Sequence, residues 1–278
     1  MEFPTRYLII GMQRSGTTVT HECLGGHPHV STLEPELNAR SFSAGFDAFT
    51  HGKIPQELRP LSYYRLFDAL AGLSATDQTT HLGVKCALSH PCEAEALVHS
   101  LQTFLPEAKA ILVFRNDLVA QYASLIKAQK TRRWHASEPS NRTVDSDVRV
   151  RIGQRELLYY VANAFKIGIV LKKLVKTHSV FQVSYERDIL PGNLEYCKKL
   201  LVFLGLPLVE MTWSDAQKLS PPPEDYVANY PFFRGLLEEA RQKSDDIEAL
   251  NRLAAQNEDR VGKLKSKIAQ FGRALLKS

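Results

Sequence analysis

Residues 11–18 read Gly-Met-Gln-Arg-Ser-Gly-Thr-Thr, with glycines at the first and sixth places, the spacing of a phosphate-binding loop. Glycines let the backbone turn tightly, so that successive N–H groups point into one concavity. A helix starting at the end of such a loop adds unpaired N–H groups and a dipole that favours an anion. Arg14 and the hydroxyls of Ser15, Thr17 and Thr18 add donors around the second glycine, Gly16. A nucleoside triphosphatase loop ends in Gly-Lys-Ser/Thr, where the lysine reaches the β/γ-phosphates and the hydroxyl holds magnesium. Thr17 stands in that lysine's place. The loop is therefore expected to hold a phosphate-like anion by other means. The competing reading is a plain helix cap made by Ser15 or Thr17.

A second cluster follows an apolar run, AILVF at 110–114. Arg115 comes directly after it, and Ser124 lies nine residues beyond, with Gln121 one turn closer. Residues at the carboxyl end of a parallel strand face the ligand crevice. A guanidinium and a hydroxyl there could pinch a second phosphate through charge-assisted bonds. Alone the pair is weak evidence, because a surface arginine and a helix serine are common. Lys85 ends HLGVK at 81–85 and is a candidate for the oxygens of a transferred or leaving group; a surface ion pair is the alternative. Glu34 and Glu36 follow a segment at 30–33 that can form a strand. An ordinary glutamate, with a pKa of about 4.3, is a weak base for an alcohol. Burial or mutual repulsion would have to raise it. Solvated turn carboxylates beside Pro35 are the alternative.

These residues need strand ends and helix starts to hold them. YLIIG at 7–11 and AILVF at 110–114 are short apolar runs of the kind that form strands buried on both faces. Further strands are expected at 30–33, at 81–85 as a strand edge, and at 179–185. Helical patterns cover 17–25, 92–104, 118–130, 149–176 and 194–204, several of them stopped by Gly or Pro. Strands alternating with helices imply an α/β fold: a P-loop-like three-layer arrangement with a mostly parallel central sheet. A body at 1–237 is expected to carry the chemistry. Residues 238–278 differ. Ile247, Leu250, Ala254, Asn257, Val261, Leu264, Ile268, Phe271 and Leu275 recur at three- and four-residue spacing. That is a heptad seam over about four repeats. It makes a C-terminal amphipathic helix, either a coiled coil joining two subunits as a homodimer or a helix folded back on its own body.

Composition narrows the function classes. Thirty-five Lys and Arg against 30 Asp and Glu give a net charge of +5, compatible with an anionic small molecule and too diffuse to argue for nucleic acid. The stretch 157–175 is greasy but contains Lys166, Lys172 and Lys173, as a packed helix would and a membrane span would not. The N-terminus has no basic segment followed by an apolar one, so no signal peptide is read there. Cys23, Cys86, Cys92 and Cys197 form no CxxC. They are read as free thiols, and the chain as cytoplasmic. His21, His27 and His29 lie close in sequence without a zinc-ligand pattern, and no metal site is expected.

Taken in order, these segments resemble the PAPS-dependent sulfotransferase family, where PAPS is 3'-phosphoadenosine-5'-phosphosulfate. The matching residues are YLIIGMQRSGTT at 7–18, GVK at 83–85, ILVFRNDLVAQYASLIKAQKTRRWH at 111–135, YERDIL at 185–190 and FLGLPL at 203–208. The likeness spans roughly residues 5–237 and is greatest to bacterial carbohydrate sulfotransferases of the trehalose and Nod-factor kind. It implies transfer of a sulfuryl group from PAPS to a hydroxyl of a carbohydrate or glycolipid acceptor, with adenosine 3',5'-bisphosphate as product. It implies a 5'-phosphosulfate loop at Arg14, Ser15, Gly16, Thr17 and Thr18, a 3'-phosphate clamp of Arg115 and Ser124, and a base at Glu36, with Glu34 as runner-up. In the familiar cytosolic members the clamp serine stands at the place of Ala123, and no RKG-like segment is found near the C-terminus. The rival readings are an atypical P-loop kinase using ATP and magnesium, and a non-catalytic nucleotide-binding scaffold. Residues 38–80 and 130–150 are expected to select the acceptor.

Overall fold

The computed structural model describes residues 4–37, 78–131, 149–192, 195–209, 223–227 and 229–235, with backbone alone at 33–37. These fall into two compact units, one drawn from 1–116 and 167–217, the other from 117–166 and 218–278.

The first unit is built on a five-stranded parallel sheet. Its strands are β1 (Thr5–Met12), β2 (Val30–Leu37), β3 (His81–Leu88), β4 (Lys109–Phe114) and β5 (Val180–Ser184), in the order β2-β3-β1-β4-β5. The apolar runs foreseen at 7–11 and 110–114 are neighbours at the centre, Gly11 pairing with Val113. Residues 7–12 of β1 are all buried, as a run without polar alternation requires. Tyr7 and Ile9 point to the face where α1 (Thr17–Gly25) and a later helix, Glu195–Leu204, pack. Leu24, Ile111, Val183, Leu200, Leu201 and Leu204 complete that core.

Three expectations are corrected here. β3 is no strand edge: it runs eight residues, every one buried, between β1 and β2. β2 does not stop at Leu33 but runs to Leu37 through Pro35, with a register shift against β3 between Leu33 and Leu37. Pro35 lacks an N–H, and only an edge strand with a bulge tolerates that loss. Cys23 and Cys197 are not free: they form a disulfide between α1 and the Glu195–Leu204 helix, while Cys86 and Cys92 remain thiols. The two helices share one face of the sheet, which brings together cysteines that stand 174 residues apart.

In chain order the described helices after α1 are α2 (Pro91–Phe104), α3 (Leu118–Thr131), α4 (Gln154–Leu171), α5 (Glu195–Leu204) and the single turn α6 (Pro223–Tyr226). The helix expected at 149–176 is shorter. Val150 instead pairs in parallel with Val227, so the chain stays extended there, and the last turn, Lys172–Lys176, is a 3₁₀ helix. At the sheet's amino-terminal rim three side chains hold the end of α5. Lys109 Nζ donates to the carbonyls of Phe203 and Leu204 at 2.9 and 2.8 Å, and His81 Nε2 to Leu204 O at 3.1 Å. His27 Nε2 meets Pro207 O at 3.1 Å. Donors of this kind satisfy carbonyls that a helix end leaves orphaned.

The second unit packs α3 and the start of α4 around Tyr226, Val227, Tyr230 and Phe233. Asp117 anchors it: Oδ1 accepts the Ala120 N–H at 2.8 Å, capping α3, and Oδ2 accepts the Tyr230 hydroxyl. Burial, and then that bond, push the Tyr230 phenol well above its ordinary range. Among the described residues no helix is long and apolar enough to cross a membrane. The heptad seam of 247–275 lies outside the described residues.

Candidate active site

Strand order locates the crevice. From β1 the chain moves to one side, to β2 and β3; from β4 it moves to the other, to β5. The connections part between the carboxyl ends of β1 and β4, the switch point at which parallel α/β sheets bind ligands. The loop after β1 and Arg115 after β4 border this point.

The loop is built by backbone geometry. Ser15 N–H closes on Met12 O at 3.1 Å and Gln13 N–H on Leu88 O at 3.2 Å. Arg14 is left-handed at φ 64°, and Gly16 follows at φ 104°. A non-glycine residue held at positive φ stores backbone strain, a feature that gathers at ligand-binding turns. Gly16 is the N-cap of α1, has no side chain to cap it, and the Ser15 hydroxyl makes no capping bond among the described residues. The plain helix-cap reading therefore fails, since neither Ser15 nor Thr17 serves as one. The Ser15 hydroxyl is buried and has no hydrogen-bond partner among the described residues. Lys85 reaches the loop from β3: its side chain is buried and Nζ donates to Thr18 Oγ1 at 3.1 Å. Arg14, Ser15, Gly16, Thr17, Thr18 and Lys85 are thus gathered in one place.

Arg115 is held from β5's end. Its guanidinium lies over the Tyr185 ring, 4.4 Å from the centroid, and its Nε is 3.8 Å from Glu186 Oε1. That separation is an ion pair and too long for a hydrogen bond, so Nε makes none. Tyr185 and Glu186 open a π-helical turn, Tyr185–Ile189, which Asp188 fastens by accepting the Ser184 N–H at 2.7 Å. Arg187 bonds the same carboxylate and, with that backbone bond, holds it below the usual range despite partial burial.

Ser124 is on α3, in the second unit, on a buried polar ridge with Gln121 and Lys127. Glu34 and Glu36 fall within β2 itself, and their side chains lie outside those described. Residues 38–77 and 132–148, to which acceptor choice is ascribed, also lie outside the description. Sequence reasoning missed Tyr185 and Glu186 as site residues. The signal was there, because they directly follow a predicted strand, where a parallel sheet presents its ligand-facing groups.

A parallel three-layer sheet with an uncapped, glycine-turned loop at its switch point defines the P-loop-like class of α/β proteins. The model of the sulfotransferase family matches residues 7–210. The chain belongs to that family and is a sulfotransferase, an enzyme that transfers a sulfuryl group. Among solved structures, it is similar to a sulfotransferase from Alicyclobacillus acidocaldarius, at 14% identity over 91% of this chain and 96% of that one, TM-score 0.48. It is also similar to the sulfotransferase domain of the Synechococcus PCC 7002 olefin synthase, at 17% identity over 75% of this chain and 76% of that one, TM-score 0.49. A Mycobacterium tuberculosis H37Rv sulfotransferase matches at 16% identity over 81% and 77%, TM-score 0.43. No match to a curated protein sequence was found.

Proposed function

We propose that the chain takes the sulfuryl group from PAPS, delivers it to a hydroxyl of a carbohydrate or glycolipid, and releases adenosine 3',5'-bisphosphate. The carrying observation is that the Arg14 loop and Arg115 border one switch point, with the Tyr185 ring against both Gly16 and Arg115. A donor with two separated phosphates needs two cradles on one rim of one sheet. The uncapped first turn of α1 and the unpartnered Ser15 hydroxyl suit the 5'-phosphosulfate, together with Gly16, Thr17 and Thr18. Arg115 suits the 3'-phosphate. Ser124 is assigned to the same phosphate, and Glu36 to the base, on the family resemblance.

In the reaction the acceptor oxygen attacks sulfur in line with the oxygen bridging to the 5'-phosphate. The new S–O bond forms as the bridging bond breaks, and the leaving phosphate keeps the electron pair. The acceptor's proton passes to the base, Glu36, with Glu34 as the alternative. Charge growing on the bridging oxygen is met by Arg14, the loop N–H groups and Lys85. The reading places the reaction in the cytoplasm, and the heptad pattern of 247–275 supports either a homodimeric coiled coil or a helix folded back on its own body. Calorimetry tests the donor site: adenosine 3',5'-bisphosphate should bind saturably to the folded protein. No saturable binding at millimolar ligand would end this reading.

A further inference from the structure

A carboxylate beside the arginine of an anion site is an electrostatic puzzle. Glu186 sits 3.8 Å from Arg115 Nε and opposes any phosphate the guanidinium would bind. Its presence makes sense if orientation matters more than net charge. A free arginine side chain must give up rotamer freedom when it settles on a ligand. At the end of β4 that freedom is already removed. Glu186 Oε2 accepts the Asn116 backbone N–H at 2.8 Å, which locks the carboxylate to the residue after Arg115. Asn116 Nδ2 in turn donates to Ser184 Oγ at 3.3 Å, and Phe114 pairs with Ser184, so the two strand ends are tied together. Among the described residues the guanidinium's ion pair runs through Nε, on the side away from the two terminal nitrogens that form the phosphate-gripping fork.

The Tyr185 ring completes the bracket. One part supports Arg115 at 4.4 Å. Another lies so close to Gly16 that a Cβ there would stand 3.0 Å from Tyr185 Cδ2. A single rigid ring therefore touches the phosphate loop and the arginine together.

We propose that Tyr185 and Glu186 are positioning residues: they set the Arg115 guanidinium at a fixed separation from the 14–18 loop and thereby select a nucleotide with a second, remote phosphate. The inference rests on the donor reading above and assigns the origin of its selectivity.

Calorimetry with adenosine 3',5'-bisphosphate and adenosine 5'-monophosphate, run side by side, tests it. The wild type should prefer the bisphosphate. Glu186→Gln and Tyr185→Leu should each weaken bisphosphate binding about tenfold, the scale of a partly desolvated cation–ring contact, and leave monophosphate binding within about twofold. Tyr185→Phe, which keeps the ring, should recover the preference that Tyr185→Leu loses. In an Arg115→Ala background Glu186→Gln should have no further effect. Full preference retained in Glu186→Gln and Tyr185→Leu overturns the proposal, as does an equal loss for both ligands, which marks a merely structural role. A wild type without any preference refutes instead the donor reading, and the proposal with it.

Discussion

Replacing Gly16 with alanine probes the join between the loop and the turn after β5. Two costs add. At φ 104° and ψ 11° Gly16 occupies left-handed space, where a Cβ costs about 1–2 kcal/mol. The new methyl would also stand 2.7 Å from Ile189 Cδ1 and 3.0 Å from Tyr185 Cδ2. Ile189 Cδ1 is the end of a flexible side chain and can yield; the Tyr185 ring, pinned under Arg115, yields less. Overpacking of this kind adds about 1–2 kcal/mol. The expected loss is therefore about 2–4 kcal/mol, inside the 5–15 kcal/mol stability typical of a domain, so the variant folds. Gly192→Ala is the control, because Gly192 has φ 70° but nothing within 4 Å of an added Cβ. It should lose only the backbone part, about 1 kcal/mol. Urea unfolding followed by circular dichroism reads both. Equal destabilisation of the two variants would show that the 185–189 turn does not press on the loop, and would undo the link between the two cradles.

Acid should weaken the fold through His81. Burial first, helped by the nearby charges of Lys109, His27 and His29, lowers its folded-state pKa, against the bond to Leu204. The unfolded chain thus takes the proton first, at a pH of about 6.5. Stability is full above that pH, falls as pH drops below it, and levels once the folded form also protonates; His81→Gln should flatten the slope in urea titrations between pH 5 and 7.5, and an unchanged slope refutes the assignment. The Cys23–Cys197 bridge closes a separation of 174 residues, for which chain entropy sets a stabilisation of up to about 5 kcal/mol. Thiol titration of the denatured, unreduced chain should find two thiols, those of Cys86 and Cys92, and reductant should lower the urea midpoint; a count of four thiols would remove the bridge.

What the sequence determined was local. Runs such as YLIIG and AILVF are short, lack polar alternation and are rich in β-branched residues, as buried strands are, and the helix at 17–25 begins and ends where expected, because glycines bound it on both sides. The loop at 11–18 was legible because its glycines and hydroxyls act on the backbone within a few residues. The tertiary structure decided whatever depends on partners far along the chain. β3 became an interior strand because β1 and β2 close on it, and β2 could run through Pro35 because it lies at the edge. Cys23 met Cys197 because α1 and α5 share one face. Glu186 and Tyr185 stand in the sequence only as part of YERDIL at 185–190, without a role, until the pairing of β4 with β5 carries Glu186 to Arg115 and sets the Tyr185 ring between Gly16 and that arginine. Backbone preference and hydrophobic period are set by near neighbours and so can be read along the chain; burial, ion pairing and ring packing are set by residues that only folding makes adjacent.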